Sequence, residues 1–257
     1  MLNFRNVNIF FALFILAWFI LDSQFHFTPA AYGWILLVYV AVLFCGCYFI
    51  QLNYFLKSVC SGNRNKKEIA LSFDDGPDES FTPAILDTLK ESRVEAIFFC
   101  IGKKIPGREE ILRRITNEGH LIGNHSYSHH YFFDLFPAGK MLGDLRQMNQ
   151  LVNEVTGLTP RLFRPPYGVT NPGVKKAVEE GGFVSIGWDL RSLDTVIRDE
   201  NRLLEKGLRR VKPGSILLFH DTSETTVKML PQLIRELRQQ EYRFVRLDKL
   251  IKLDPYA

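Results

Sequence analysis

Two adjacent carboxylates, Asp74 and Asp75, follow the apolar run IALSF and precede Gly76-Pro77. Neighbouring like charges repel, so a strand end that carries both needs a positive partner. Further along, His125 and His129 stand four apart in HSYSHH. On a helical turn such a pair shares one face, and two imidazole nitrogens can meet one ion. Joined by one carboxylate of the Asp pair they make a His₂Asp set. Three protein ligands with a fourth position left for water is the composition of a hydrolytic metal site. The remaining carboxylate can then face that water.

Other reactive residues also follow apolar runs. Arg164 and Tyr167 occur in FRPPYG, Asp189 and Asp194 in WDLRSLDT, and His220 and Asp221 after SILLF. The runs at 69–73, 96–102, 120–124, 161–165, 183–188, 215–220 and 242–247 read as strands. Between them, Ile85, Leu86 and Leu89, then Ile111, Leu112 and Ile115, keep helical spacing. So do Met141, Leu145, Met148, Val152 and Val155, and Leu230, Leu233, Ile234 and Leu237. Strands separated by helices imply parallel β/α units. Between residues 61 and 257 they predict an α/β domain, a distorted (β/α) barrel of about seven parallel strands. A full eightfold barrel takes about 250 residues. An open doubly wound sheet is the alternative, and no GxGxxG favours it. In a parallel barrel every strand's C-terminal end opens on the same face, so five segments deliver acids, histidines and an arginine to one mouth. Around them, Asp221 reads as a helix cap and Trp188 as a strand-end packing residue. His130 reads as an unliganded neighbour, His120 as a loop residue and His26 as an interfacial one.

The first sixty residues differ in kind. Apolar helices are predicted at about 6–22 and 33–54, the second long enough to cross a bilayer. The reading is a membrane anchor over 1–60, a transmembrane helical hairpin, ahead of a catalytic domain over 61–257. A cleaved leader, or one span with one buried segment, are the alternatives. The loop from Asp22 to Gly33 carries no Lys or Arg, whereas Lys57, Arg64, Lys66 and Lys67 follow the second segment. The positive-inside rule then places the C-terminal part on the cytoplasmic side. The whole chain has 257 residues, 46% hydrophobic, with a net charge of +4 and no Lys/Arg block, which argues against nucleic acid. The four cysteines lack zinc spacing and read as buried free thiols.

SFDDGP, HSYSH, RPPYG and LFH, in that order, resemble the motifs of the polysaccharide deacetylase family, the NodB-type carbohydrate esterases of family 4. AIFFCIG and GHLIGNHSYSHH resemble its flanking segments, and the likeness runs from about residue 67 to 250. The resemblance implies metal-dependent hydrolysis of an N-acyl group, acetyl first, from an amino sugar in a glycan such as peptidoglycan or a chitin-like polymer. The alternatives are a deacetylase or deformylase of a lipid-linked amino sugar at the membrane, and an inactive glycan-binding homologue. It further implies one divalent metal, zinc ahead of cobalt, nickel or manganese, held by Asp75, His125 and His129. Asp74 becomes the general base, oriented by Arg164. His220 becomes the general acid, kept cationic by Asp194. Tyr167 offers its backbone N–H to the oxyanion and Leu218 lines the acetyl pocket. Family habit places the domain outside the membrane, against the charge pattern. One motif departs: where the family has Asp-x-x-Asp-Trp, this chain has Arg191 in place of the first Asp and Thr195 in place of the Trp, with Asp194 retained.

Overall fold

In β1 (Glu68–Asp74) every residue after Glu68 is buried. A strand covered on both faces is the signature of a central parallel strand. The computed structural model describes residues 3–257 and bears this out. β1 is followed by α3 (Phe81–Ser92), β2 (Ala96–Cys100), α4 (Glu109–Asn117), β3 (Leu121–Asn124), α5 (Ala138–Thr156) and β4 (Leu162–Phe163). Then come α6 (Pro172–Glu180), β5 (Val184–Ser185), β6 (Leu190–Arg191), α7 (Glu200–Arg210), β7 (Ile216–His220), α8 (Glu224–Gln239), β8 (Arg243–Phe244) and α9 (Leu247–Ile251). Ahead of them stand α1 (Phe4–Phe25) and α2 (Pro29–Tyr48).

Seven strands pair in parallel in the order β5-β4-β3-β2-β1-β7-β6, and β8 adds to the start of β1 through Glu68 and Ile69. The sheet curls into a half-barrel, as expected, and β5 and β6 stay unpaired with each other. At that gap Val59 bridges to Ile186, and Ser61 to Ser215. The strand β6 was not foreseen; its two residues fall inside WDLRSLDT. The stripe Met141, Leu145, Met148 and Val152 is buried on α5 as its spacing requires. Phe73, Phe98 and Phe219, from three adjacent strands, pack among the helices outside the sheet.

The two apolar helices have other bounds than the sequence implied. The first runs three residues further, to Phe25, and the second starts at Pro29 and stops at Tyr48. Phe49 leaves the helical region (ψ 89°), and Ile50–Leu52 form a 3₁₀ turn instead. Both helices are long and apolar enough to cross a membrane by length and composition. Their ends at Phe4 and Tyr48 lie together against the rest of the chain: the Phe4 N–H donates to the Tyr54 carbonyl. Gly46 is required there, because a Cβ would stand 2.2 Å from the Tyr54 ring. The cysteines are free, but only Cys100 is buried and Cys45 is exposed.

Candidate active site

Asp74 is the last residue of β1 and Asp75 the first beyond it, with φ at 77°. A non-glycine residue in the left-handed region costs about 1–3 kcal/mol and persists where its surroundings over-determine it. Here the turn aims both carboxylates to the C-terminal side of the sheet. Asp74 lies in register with Phe99 on β2 and His220 on β7.

The two histidines converge by a different route from the one expected. His125 to His129 is not a helical turn but a loop beyond β3, with Ser126 and His129 at φ 65° and 42°. Asn124 Oδ1 accepts from the Ser126 N–H, Asp144 Oδ1 from the Tyr127 N–H, and Ser126 Oγ from the His129 N–H. These buried or half-buried polar groups hold the loop shut. As a result His129 Nε2 stands 3.3 Å and His125 Nε2 3.5 Å from Asp75 Oδ1. One ligand atom from each residue lies within 4.8 Å of the others.

This set fits a cation. Asp75 Oδ1 is buried and makes no hydrogen bond. His125 Nδ1 lies 2.7 Å from the Arg164 carbonyl, which can only accept, so Nδ1 carries a proton and Nε2 faces Asp75. Burial lowers this imidazole, but Asp74 and Asp75 outweigh it and raise the ring above its ordinary value, so a cation at the site would take the place of the Nε2 proton. Burial, then the neighbouring His125, lower the His129 imidazole to about 4, so it is neutral at pH 7, the form that ligates. Burial alone would raise Asp75, but His125 foremost, with His129 and His220, holds it well below the usual carboxylate range. Three electron-pair donors facing one another are costly without a shared positive charge.

Arg164 is fully buried. Its Nη1 donates to Asp74 Oδ1 at 2.7 Å and to Ser72 Oγ at 2.9 Å, and its other nitrogens donate to the Ile186 and Gly187 carbonyls. The Asp74 Oδ2 is left toward His125, 3.9 Å away. On the other side His220 Nδ1 donates to Asp194 Oδ1 at 2.7 Å, and Asp194 Oδ2 accepts from the His220 N–H and from Thr226 Oγ1. Burial works against a charge on His220, but the bond to Asp194 and the nearby acids push it up to about 9. It is cationic at neutral pH.

Tyr167, 44% exposed, sits at φ 59° between Pro166 and Gly168 with its ring edge-on to His129. Gly168 (φ 74°) admits no Cβ, which would stand 2.2 Å from the Trp188 ring. Tyr167, Trp188, Arg191, Leu218 and His220 line one cavity with Asp74, Asp75, His125 and His129. Seven of the nine expected residues line this cavity; Arg164 reaches it only through Asp74, and Asp194 only through His220. Arg191 lies over the Trp188 ring, its guanidinium 5.7 Å from the ring centroid. Asp189 is elsewhere: Arg64 grips it with two nitrogens and Ser215 donates to it.

One expectation fails here. Asp221 does not cap a helix; Ser223 caps α8. Asp221 is fully buried, accepts from Thr82 Oγ1, and burial pushes it up to about 7. His120 lies in the loop ahead of β3, as expected, and is buried; its Nδ1 accepts from the Ala96 N–H. Ser72, Asp144 and Thr226 were not foreseen, because a single hydroxyl or acid inside a strand or helix carries no motif.

The family model for polysaccharide deacetylases matches residues 61–186. A peptidoglycan-N-acetylglucosamine deacetylase of Bacillus cereus is 35% identical over 196 residues, 75% of this chain and 71% of that protein. A solved peptidoglycan N-acetylglucosamine deacetylase, in complex with 4-naphthalen-1-yl-N-oxidanyl-benzamide, matches with a TM-score of 0.73 at 33% identity, over 78% of this chain and 95% of that one. A solved pseudoenzyme of carbohydrate esterase family 4 from Bacillus anthracis matches with a TM-score of 0.71 at 26% identity, over 76% of this chain and 68% of that one.

Proposed function

The chain belongs to the polysaccharide deacetylase family, and from that premise we propose that it hydrolyses the N-acetyl group of an amino sugar in a glycan of the peptidoglycan kind. The observation that carries this reading is the pair of opposed groups across one cavity. Asp74 is bonded to Arg164 on one side, and His220 is held cationic by Asp194 on the other. Amide hydrolysis needs a base for the attacking water and an acid for the departing nitrogen, and a pair whose environments drive them apart supplies both.

In this reading Asp74 Oδ2 takes the proton of the attacking water, while Arg164 keeps the carboxylate oriented. His220 Nε2 gives its proton to the nitrogen as the C–N bond breaks. The backbone N–H of Tyr167 faces the developing oxyanion, and Leu218 packs on the acetyl methyl. Asp75, His125 and His129 hold one divalent ion, zinc by the two-nitrogen, one-oxygen donor set. When bound, that ion lowers the pKa of its water toward ~7 and polarises the carbonyl. α1 and α2 anchor the chain in a membrane.

Acetate release from N-acetylglucosamine oligomers, by protein loaded with zinc, cobalt, nickel or manganese in turn, tests this. The expected result is turnover that a chelator abolishes and zinc restores. Equal rates for the wild type and Asp74→Asn would turn the reading toward an inactive glycan binder, as the pseudoenzyme relative illustrates.

A further inference from the structure

The cavity and the apolar hairpin share a wall. Ile50, two residues beyond the end of α2, is buried and packs on Trp188 and Leu218, both of which line the catalytic cavity. Gln51 Nε2 donates to the Trp188 carbonyl at 3.1 Å. Close by, the Thr170 N–H, three residues after Tyr167, donates to the Cys47 carbonyl in the last turn of α2. One layer of side chains therefore separates the reacting groups from the end of a helix long enough to span a bilayer.

Beside this wall lies an apolar surface that the fold leaves uncovered. Tyr131, Phe132 and Leu135 are 72%, 52% and 69% exposed. Their loop is fixed to the base of the hairpin, because Phe133 packs in one cluster with Leu56, and Asn171, next to Thr170, donates to the Asp134 carbonyl. Tyr131 in turn stands 5.8 Å, ring to ring, from Tyr167 at the mouth. Tyr48 and Phe49 at the end of α2 are half exposed as well. Exposed aromatic and leucine side chains beside the end of such a helix suit the headgroup boundary of a bilayer, and a patch of this kind marks an interaction surface. Continuity with α2 selects the occupant, the bilayer that holds the hairpin.

We infer that the amino sugar this site takes is carried on a membrane lipid and enters from the bilayer surface, with Phe132 and Leu135 seated in that surface. The inference rests on the deacetylase reading above and specifies its substrate. A polymer would have to bring its sugar to within one residue's thickness of the membrane. A lipid-borne sugar is held at that level, and confinement to the surface raises its effective concentration at the mouth.

The test uses the full chain, zinc-loaded, in vesicles of phosphatidylcholine and phosphatidylglycerol. Two probes carry the same N-acetylglucosamine disaccharide, one free and one coupled to a dialkyl lipid in those vesicles. The expected kcat/KM is at least about tenfold higher for the anchored probe, in line with surface confinement. A Phe132→Ser, Leu135→Ser variant should lose that advantage and cleave the free probe at the wild-type rate. An anchored probe cleaved no faster than the free one, or a variant that slows both alike, overturns the inference while leaving the deacetylase reading intact. Failure of the wild type on both probes overturns the two together.

Discussion

Asp74 and His220 are register partners on adjacent parallel strands, β1 and β7. In-register neighbours on parallel strands stand about 4.8 Å apart and point to the same face. The candidate base and the candidate acid are thus placed side by side by the backbone ladder itself, before any side-chain contact is made. Each is then committed by its own partner, Arg164 for Asp74 and Asp194 for His220. Opposite protonation duties fall to neighbouring positions because the partners come from opposite sides of the sheet, from beyond β4 and from beyond β6.

Asp74→Asn keeps the size of the side chain and removes its basicity. General base catalysis contributes typically 10²–10⁴-fold, so kcat should fall by about that factor, with KM little changed. The metal stoichiometry should remain that of the wild type, because Asp75, His125 and His129 are untouched. Metal analysis of the purified variant alongside steady-state kinetics checks both. His220→Ala should fall by a similar factor, and the double variant by far less than the product, since groups that act as a unit are not additive.

The Asp194–His220 bond sets an alkaline limit. His220 is raised from its ordinary value to about 9, and it serves as an acid only while protonated. Activity should therefore fall as pH rises through about 9. Stability has the same sign: a His raised in the folded state contributes fully below its unfolded pKa of about 6.5, and that contribution is lost as pH rises through the folded value. Asp194→Asn removes the anion responsible. The alkaline limb of kcat/KM should move down toward about 6.5, and the alkaline loss in Tm should shift with it. A limb unchanged in the variant would assign the ionisation to another group.

Much of this was legible in the sequence, and the exceptions have physical reasons. The Asp pair, the two histidines, Arg164 and His220 each follow an apolar run, and parallel topology brings all such positions to one end of the sheet. The strand β6 escaped notice because Leu190–Arg191 sits among polar and charged residues, in WDLRSLDT, with no apolar run around it to mark a strand. The spacing of His125 and His129 was read as a helical face, but a closed loop with two left-handed residues achieves the same convergence. Sequence spacing limits reach without fixing the path. Asp221 resembled a cap because Thr222 and Ser223 follow it, yet its partner Thr82 lies on α3. Contacts that distant leave no local trace. The end of α2 was set six residues too late, since Phe49 to Leu56 continues the apolar composition past the point where the backbone turns.

Arg164 should matter to stability as well as to rate. It is fully buried, and its donors serve Asp74, Ser72 and the carbonyls of Ile186 and Gly187. Breaking a buried ion pair by removing one partner costs about 3–5 kcal/mol, and Arg164→Ala should lose that much in denaturant unfolding. Arg164→Lys should recover little of it, since a compact ammonium cannot span four acceptors that a planar guanidinium reaches together. Ser72→Ala removes two bonds, the one its hydroxyl accepts from Arg164 and the one it donates to the Leu217 carbonyl, and should cost about 2 kcal/mol. A lysine variant as stable as the wild type would mean that charge alone, without the fork, holds Asp74.

The hairpin's charge asymmetry predicts which side the domain occupies. The turn between α1 and α2 is closed by Asp22, which accepts from the Phe27 N–H and the Tyr32 hydroxyl, and from Asn6 to Leu56 the chain has no Lys or Arg. Arg5 and Lys57 lie at the other end, beside Phe4 and Tyr54 where both helices meet the rest of the chain, and Arg64, Lys66 and Lys67 follow in sequence. Loops rich in Lys and Arg stay cytoplasmic. A fluorescent protein fused after Ala257 should therefore fluoresce, and an alkaline phosphatase fused there should be inactive. An active phosphatase would place the cavity outside, and Arg5→Glu with Lys57→Glu should then leave the orientation unchanged, showing that something other than these charges sets it.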